Sequence, residues 1–113
     1  MIDETKIPAI VAEAREAAYQ AGMKFFQERL KGQDQYACGF AWVEIYGVRG
    51  NSKLGKALQN NDVRKDSYRK CHTLWNPSCL MVQNVDTLEA GAEAAARVFE
   101  KHGFKAYACS RLD

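Results

Sequence analysis

The sequence predicts a single α+β domain: a two-layer sandwich with a mixed four-stranded sheet and two helices on one face. Three observations predict it. At 113 residues the chain can bury roughly 65% of its unfolded surface around one core and is too short for a second. The stretch Tyr36 to Tyr46 repeats at the strand period of two, with Ala37, Gly39, Ala41, Val43 and Ile45 on one face and Tyr36, Cys38, Phe40, Trp42, Glu44 and Tyr46 on the other. Two further segments, from Ile7 and from about Asp86, repeat at the helical spacing of three and four. The small face of the strand suits a closely packed helix. Its large face carries four rings that a second layer, a subunit or a ligand must cover.

Residues 7 to 30 read as a long amphipathic helix. Pro8 is tolerated in a first turn, Asp3 or Thr5 stands upstream as a cap, and Ile7, Val11, Ala14, Ala18, Ala21 and Phe25 form one stripe ending before Gly32. After the Tyr36 to Tyr46 strand, the turn Gly47 to Ser52 leads to a short helix over 53 to 59, and Asn60-Asn61-Asp62 breaks it. Tyr68, Cys71, Thr73 and Trp75 favour a second strand over 65 to 75, and Ser78 to Gln83 reads as a third, paired with it through the turn Asn76-Pro77. The second long helix opens on the pattern Asp86-x-x-Glu89, buries Leu88, Ala92, Ala95 and Phe99, and stops at Gly103. Phe104 to Arg111 is the last strand. The order is αβ(α)ββαβ, and a right-handed crossover sets the third and fourth strands parallel.

Composition excludes several classes. No run of about 18 apolar residues offers a membrane span, and the acidic start Met1 to Thr5 lacks the basic segment of a signal peptide. The expectation is a cytoplasmic protein without a membrane partner. Cys38, Cys71, Cys79 and Cys109 show no C-x-x-C spacing and read as buried free thiols in a reducing compartment. The formal charge of +2 is uneven: Arg49 to His72 holds seven basic and two acidic residues, while the rest is net acidic. A basic middle is an electrostatic footprint, or a solvated loop.

Candidate chemistry gathers around that middle. Gly50 to Lys56 matches G-x-x-x-x-G-K, but Ala57 stands where a hydroxyl would hold magnesium, so nucleotide hydrolysis is not expected. Arg49, Lys53, Lys56 and the loop amides can still hold a phosphate. Cys71 and His72 point to opposite faces of a strand, which counts against a nucleophile and base pair. The cysteines sit on separate strands, so neither a metal nor another cofactor is expected. Glu44, the one acid among the aromatic residues, could bond a base edge or a ligand amine; the pattern favours a salt bridge to Arg69 or another cation across the sheet.

The segments Cys38-Gly39-Phe40-Ala41-Trp42-Val43, Gly91-Ala92-Glu93-Ala94 and Ser110-Arg111-Leu112-Asp113 resemble a group of small bacteriophage-encoded proteins without an assigned activity, over most of the chain. That resemblance carries no site residue. It implies a host-takeover or anti-defence protein in the host cytoplasm, binding nucleic acid, a nucleotide signal or a host protein.

Three functions are therefore weighed. The first is a non-enzymatic binding protein for a phosphate-bearing ligand, nucleotide or nucleic acid. Arg49, Lys53, Lys56, Arg69 and Lys70 would contact phosphates, with His72 on the same basic surface; Phe40, Trp42 and Trp75 would stack, beside Glu44. The second is a homodimer with the aromatic face as its core. The third is a small enzyme using Cys71, His72 or Glu44, for which no complete constellation can be assembled.

Overall fold

The structure, a computed structural model, describes residues 2–113. After a 3-10 turn at Glu4–Lys6, whose first amide and hydroxyl groups are capped by Asp3, helix α1 runs Ile7–Leu30. Strand β1 is Gly39–Tyr46, helix α2 Lys53–Gln59, strands β2 and β3 Arg64–Asp66 and Cys71–Trp75, helix α3 Val85–Lys101 and strand β4 Lys105–Leu112. The α+β class, the number of strands and the order αβ(α)ββαβ are those the sequence predicts, and both long helices pack on the sheet.

The strands differ from expectation in identity and direction. The segment Ser78–Gln83 forms no strand, because Asn76 and Cys79 take positive φ (41° and 59°) on either side of Pro77 and turn the chain out of the sheet. The hairpin lies instead within residues 64–75. Asp66 folds the turn by accepting from the amides of Tyr68 and Arg69, each at 3.1 Å. The sheet order is β2-β3-β1-β4, and every neighbouring pair is antiparallel rather than mixed. β3 and β4 do run in the same direction, as their helical crossover suggests, but β1 lies between them in a split β-α-β arrangement. β1 also starts three residues late: Tyr36 has φ 69°, lies outside the strand and is exposed.

Ala41, Val43 and Ile45 of β1 are fully buried beneath the helices, as the period of two requires. α3 is capped by Asn84, whose side chain accepts from the Thr87 amide at 2.8 Å, in place of the Asp86 cap read from sequence. Its alanines let it pack closely on both β1 and β4. Gly91 points elsewhere, towards the Ala18 carbonyl of α1. Ala92 is fully buried in this layer. Ala92→Leu adds three heavy atoms to a packed contact and is expected to cost ~1 to 3 kcal/mol in a urea melt; stability equal to wild type would place Ala92 outside the core.

Candidate functional site

Strand alternation sends every second residue to the side of the sheet that no helix covers. From β2 these are Arg64 and Asp66, from β3 Cys71, Thr73 and Trp75, from β1 Phe40, Trp42, Glu44 and Tyr46, and from β4 Lys105, Tyr107, Cys109 and Arg111, as the register fixes. Trp75 and Tyr107 are 51% and 54% exposed, so the face is open.

Its centre is an aromatic run crossed by cations. Trp42 stacks on Trp75 with centroids 5.5 Å apart and planes 13° apart, and Phe40 meets the other side of the run at 5.6 Å from Trp75. The Arg111 guanidinium lies over Phe40, 5.4 Å from its centroid, and Arg69 over Trp42 at 6.0 Å. Tyr46 and Tyr107 form an edge-on pair at 5.9 Å. Trp42, Glu44, Arg69, Thr73, Trp75 and Arg111 line a depression of about 260 Å³.

Glu44 holds the centre together. Only 4% exposed, it accepts from the Trp42 indole at 2.8 Å, the Tyr46 hydroxyl at 2.6 Å and Arg69 Nη1 at 2.7 Å. Burial pushes its pKa up, but the donors from Tyr46, Trp42 and Arg69 outweigh burial and hold the carboxyl below its ordinary value. The hydrogen bond to Glu44 and then burial raise the Tyr46 phenol, which stays a donor. The salt bridge to Arg69 is thus the one the sequence favoured, and with three donors engaged Glu44 is a poor reader of a base edge.

The predicted binding residues divide. Phe40, Trp42, Glu44, Arg69 and Trp75 meet on the open face, with Lys70 exposed in the adjoining turn. Arg49, Lys53 and Lys56 do not join them, because α2 packs against α1 and sends Leu58 into the core on the helical side. The G-x-x-x-x-G-K pattern there has a packing cause. A Cβ on Gly55 would lie 2.1 Å from the Arg49 carbonyl oxygen, and the Gly55 amide already donates to Ser52 Oγ at 3.0 Å. The expected phosphate loop is a tight turn in which the amides of Ser52, Gly55 and Lys56 are already engaged.

His72 is also misplaced by the sequence reading. It pairs with Ile45 beneath the helices and is fully buried, its Nε2 3.3 Å from Gln59 Nε2 and its Nδ1 without a partner. Burial, then the Lys65 charge, lowers its pKa. It therefore faces away from Cys71. Burial and the nearby Glu44 raise the thiols of Cys71 and Cys109, the latter to about 11, the opposite of what a thiolate nucleophile needs. The four cysteines are free, but Cys38 and Cys79 are exposed rather than buried. Among the described residues no three His, Cys, Asp or Glu side chains converge as a metal site requires, and no helix is long and apolar enough to cross a membrane.

Sequence reasoning missed Arg111, Tyr107, Arg64 and Thr73 as members of the face. A signal was present in β4, where Lys105, Tyr107, Cys109 and Arg111 alternate with the small Ala106 and Ala108, the same large and small pattern as β1. The fold and this face define the molecule as an α+β protein with an open sheet platform of rings and guanidinium groups. No protein-family model matches the chain, and no curated protein or solved structure is similar to it.

Proposed function

We propose that the open sheet face is a non-enzymatic binding platform for single-stranded nucleic acid, with Trp75, Trp42 and Phe40 stacking on bases and the surrounding cations meeting phosphates. The interleaving of rings and guanidinium groups on one uncovered face supports this reading: every base offers a π-face to stack, and each phosphate needs a cation nearby. The shallow shape of the face suits a strand better than an enclosed mononucleotide. The resemblance to phage-encoded proteins makes host takeover, or the blocking of a host defence, the setting in which we propose this binding to act.

Fluorescence anisotropy with labelled single-stranded RNA and DNA, and competition by a nucleotide panel, tests the proposal. Trp75→Ala should weaken strand binding by ~1 to 3 kcal/mol, the stacking contribution of one base. The pair Lys53→Ala and Lys56→Ala should leave it unchanged, because α2 lies in the other layer. Wild type that binds no strand at low salt overturns the platform, and binding that only a mononucleotide competes for would narrow it to a nucleotide site. A homodimer through the same face is the second reading, favoured by the exposed Met81 near Phe40 and Trp75. Asp66 and the exposed Lys105 on the same face weigh against it, since interface cores are depleted of Asp and Lys; a monomer by sedimentation velocity would remove it.

A further inference from the structure

Of the two guanidinium groups at the centre of the platform, Arg69 is already neutralised by Glu44, which leaves Arg111 alone. A strand stacked on Trp75 therefore needs further cations beside that ring. A cleft of about 480 Å³ opens on the other side of Trp75, where β2 is too short to cover the end of β3, and it is lined by Arg15, Asp62, Arg64, Thr73 and Trp75. Arg15 comes from α1 and Arg64 from β2, so the fold brings two guanidinium groups from different layers to one opening. Neither is in an ion pair; among the described residues those are Glu44 with Arg69, and Glu13 with Lys101 and His102. Arg15 is anchored through Nη1 alone, to the Pro77 carbonyl at 3.4 Å and the Cys79 sulfur at 3.1 Å, which leaves Nε and Nη2 to act as a fixed fork. Against these two charges Asp62 supplies one negative group, so the cleft stays net positive.

We infer that this cleft is a phosphate subsite, in which Arg15 and Arg64 clasp one phosphate group and the Thr73 hydroxyl adds a neutral donor. Guanidinium forks match the oxygens of a phosphate, and an arginine held in place loses less freedom on binding it. Trp75 lines both this cleft and the Trp42 depression, so a base on its ring would lie beside the cleft, within reach of a phosphate of the same strand. The inference rests on the strand-binding proposal for its source of phosphate, but the chemistry of the cleft would serve a free phosphate as well.

The test is a salt titration of strand binding by wild type, Arg64→Gln and the double variant Arg15→Gln with Arg64→Gln, with thermal melts to establish that each is folded. Arg64 is exposed, so its variant keeps the test valid if loss of Arg15 disturbs the loop at Pro77. Neutralising one phosphate of a single strand contributes about 0.7 to the slope of log affinity against log salt. The variants should lose about that much slope while stacking on Trp75 persists. An unchanged slope in a protein that binds strands overturns the cleft and leaves the platform standing. If wild type binds no strand, inorganic phosphate is titrated instead while the arginine Nε–H resonances are followed by NMR. Saturable shifts at Arg15 and Arg64, absent from the variants, support the cleft alone, and no shift overturns it.

Discussion

Glu44→Leu is expected to destabilise the protein by about 3 kcal/mol, read as a fall in the urea midpoint at constant m-value. Breaking a buried ion pair from one side leaves its partner uncompensated, which costs ~3 to 5 kcal/mol when both ends are buried. Arg69 is half exposed and recovers water, which favours the lower end of that range. The Trp42 indole and the Tyr46 hydroxyl, however, lose their only acceptor inside a part-buried cluster. Each such orphaned donor costs ~1 to 3 kcal/mol. A loss below about 0.5 kcal/mol would mean that leucine packing repays the network, as it does at some buried ion pairs.

Acid titration of the same two proteins carries a signed expectation. The Glu44 carboxyl is held below its ordinary 4.5, so the unfolded chain takes up its proton first and stability falls as pH drops from about 4.5 through the folded value. His72 sits below its ordinary 6.5, so its loss begins earlier, as pH drops below about 6.5, and ends at its own folded value. Glu44→Leu should shrink the acid window to what Asp3 and Glu13, also held below their ordinary values by their hydrogen bonds, contribute, and leave the His72 window untouched; a wild type with flat stability between pH 7 and 5 would remove the His72 contribution. The structural cause for His72 is visible. The Gln59 amide already donates to the Gly50 carbonyl and faces His72 Nε2, so an added proton there would meet a donor instead of an acceptor.

What the sequence made legible was local. α1 and α2 occupy the residues that periodicity and turn chemistry mark out, and the two faces of β1 are the two faces of the sheet. Strand identity was less accessible, because Leu80 and Val82 alternate like a strand while their backbone is turned away by Asn76 and Cys79. Site membership was the least accessible. Lys53 and Lys56 are near Arg69 in sequence and lie in the other layer, whereas Arg111, remote in sequence, sits over Phe40. Charge clustering along a chain reports on neighbours in the chain, and strand register decides which of them share a face. His72 shows the same failure from the other side: its basic neighbours suggested a surface, and its place opposite Ile45 put it in the core.

Gly39→Ala is expected to cost about 3 kcal/mol, the upper end of the overpacking range, for the addition of a single methyl group. At Gly39 that methyl carbon would stand 2.4 Å from the Arg111 carbonyl oxygen and 2.7 and 2.8 Å from Val85 Cγ2 and Cβ. One obstacle is backbone and the other is the first residue of α3, so neither can yield by a side-chain rotation alone. Gly47→Ala makes the contrast, since its φ of 81° is unusual for alanine but nothing lies within 4 Å of the new carbon; the left-handed conformation alone should cost ~1 to 2 kcal/mol. The Gly39 substitution should also disturb the site. Relief of the clash moves the end of β4 away from β1, and Arg111, whose guanidinium covers the neighbouring Phe40, moves with it. Urea melts of both variants, with strand binding measured on whichever protein remains folded, check the packing and the platform together. A Gly39→Ala protein as stable as wild type would show that β1 does not pass that close to α3 and β4.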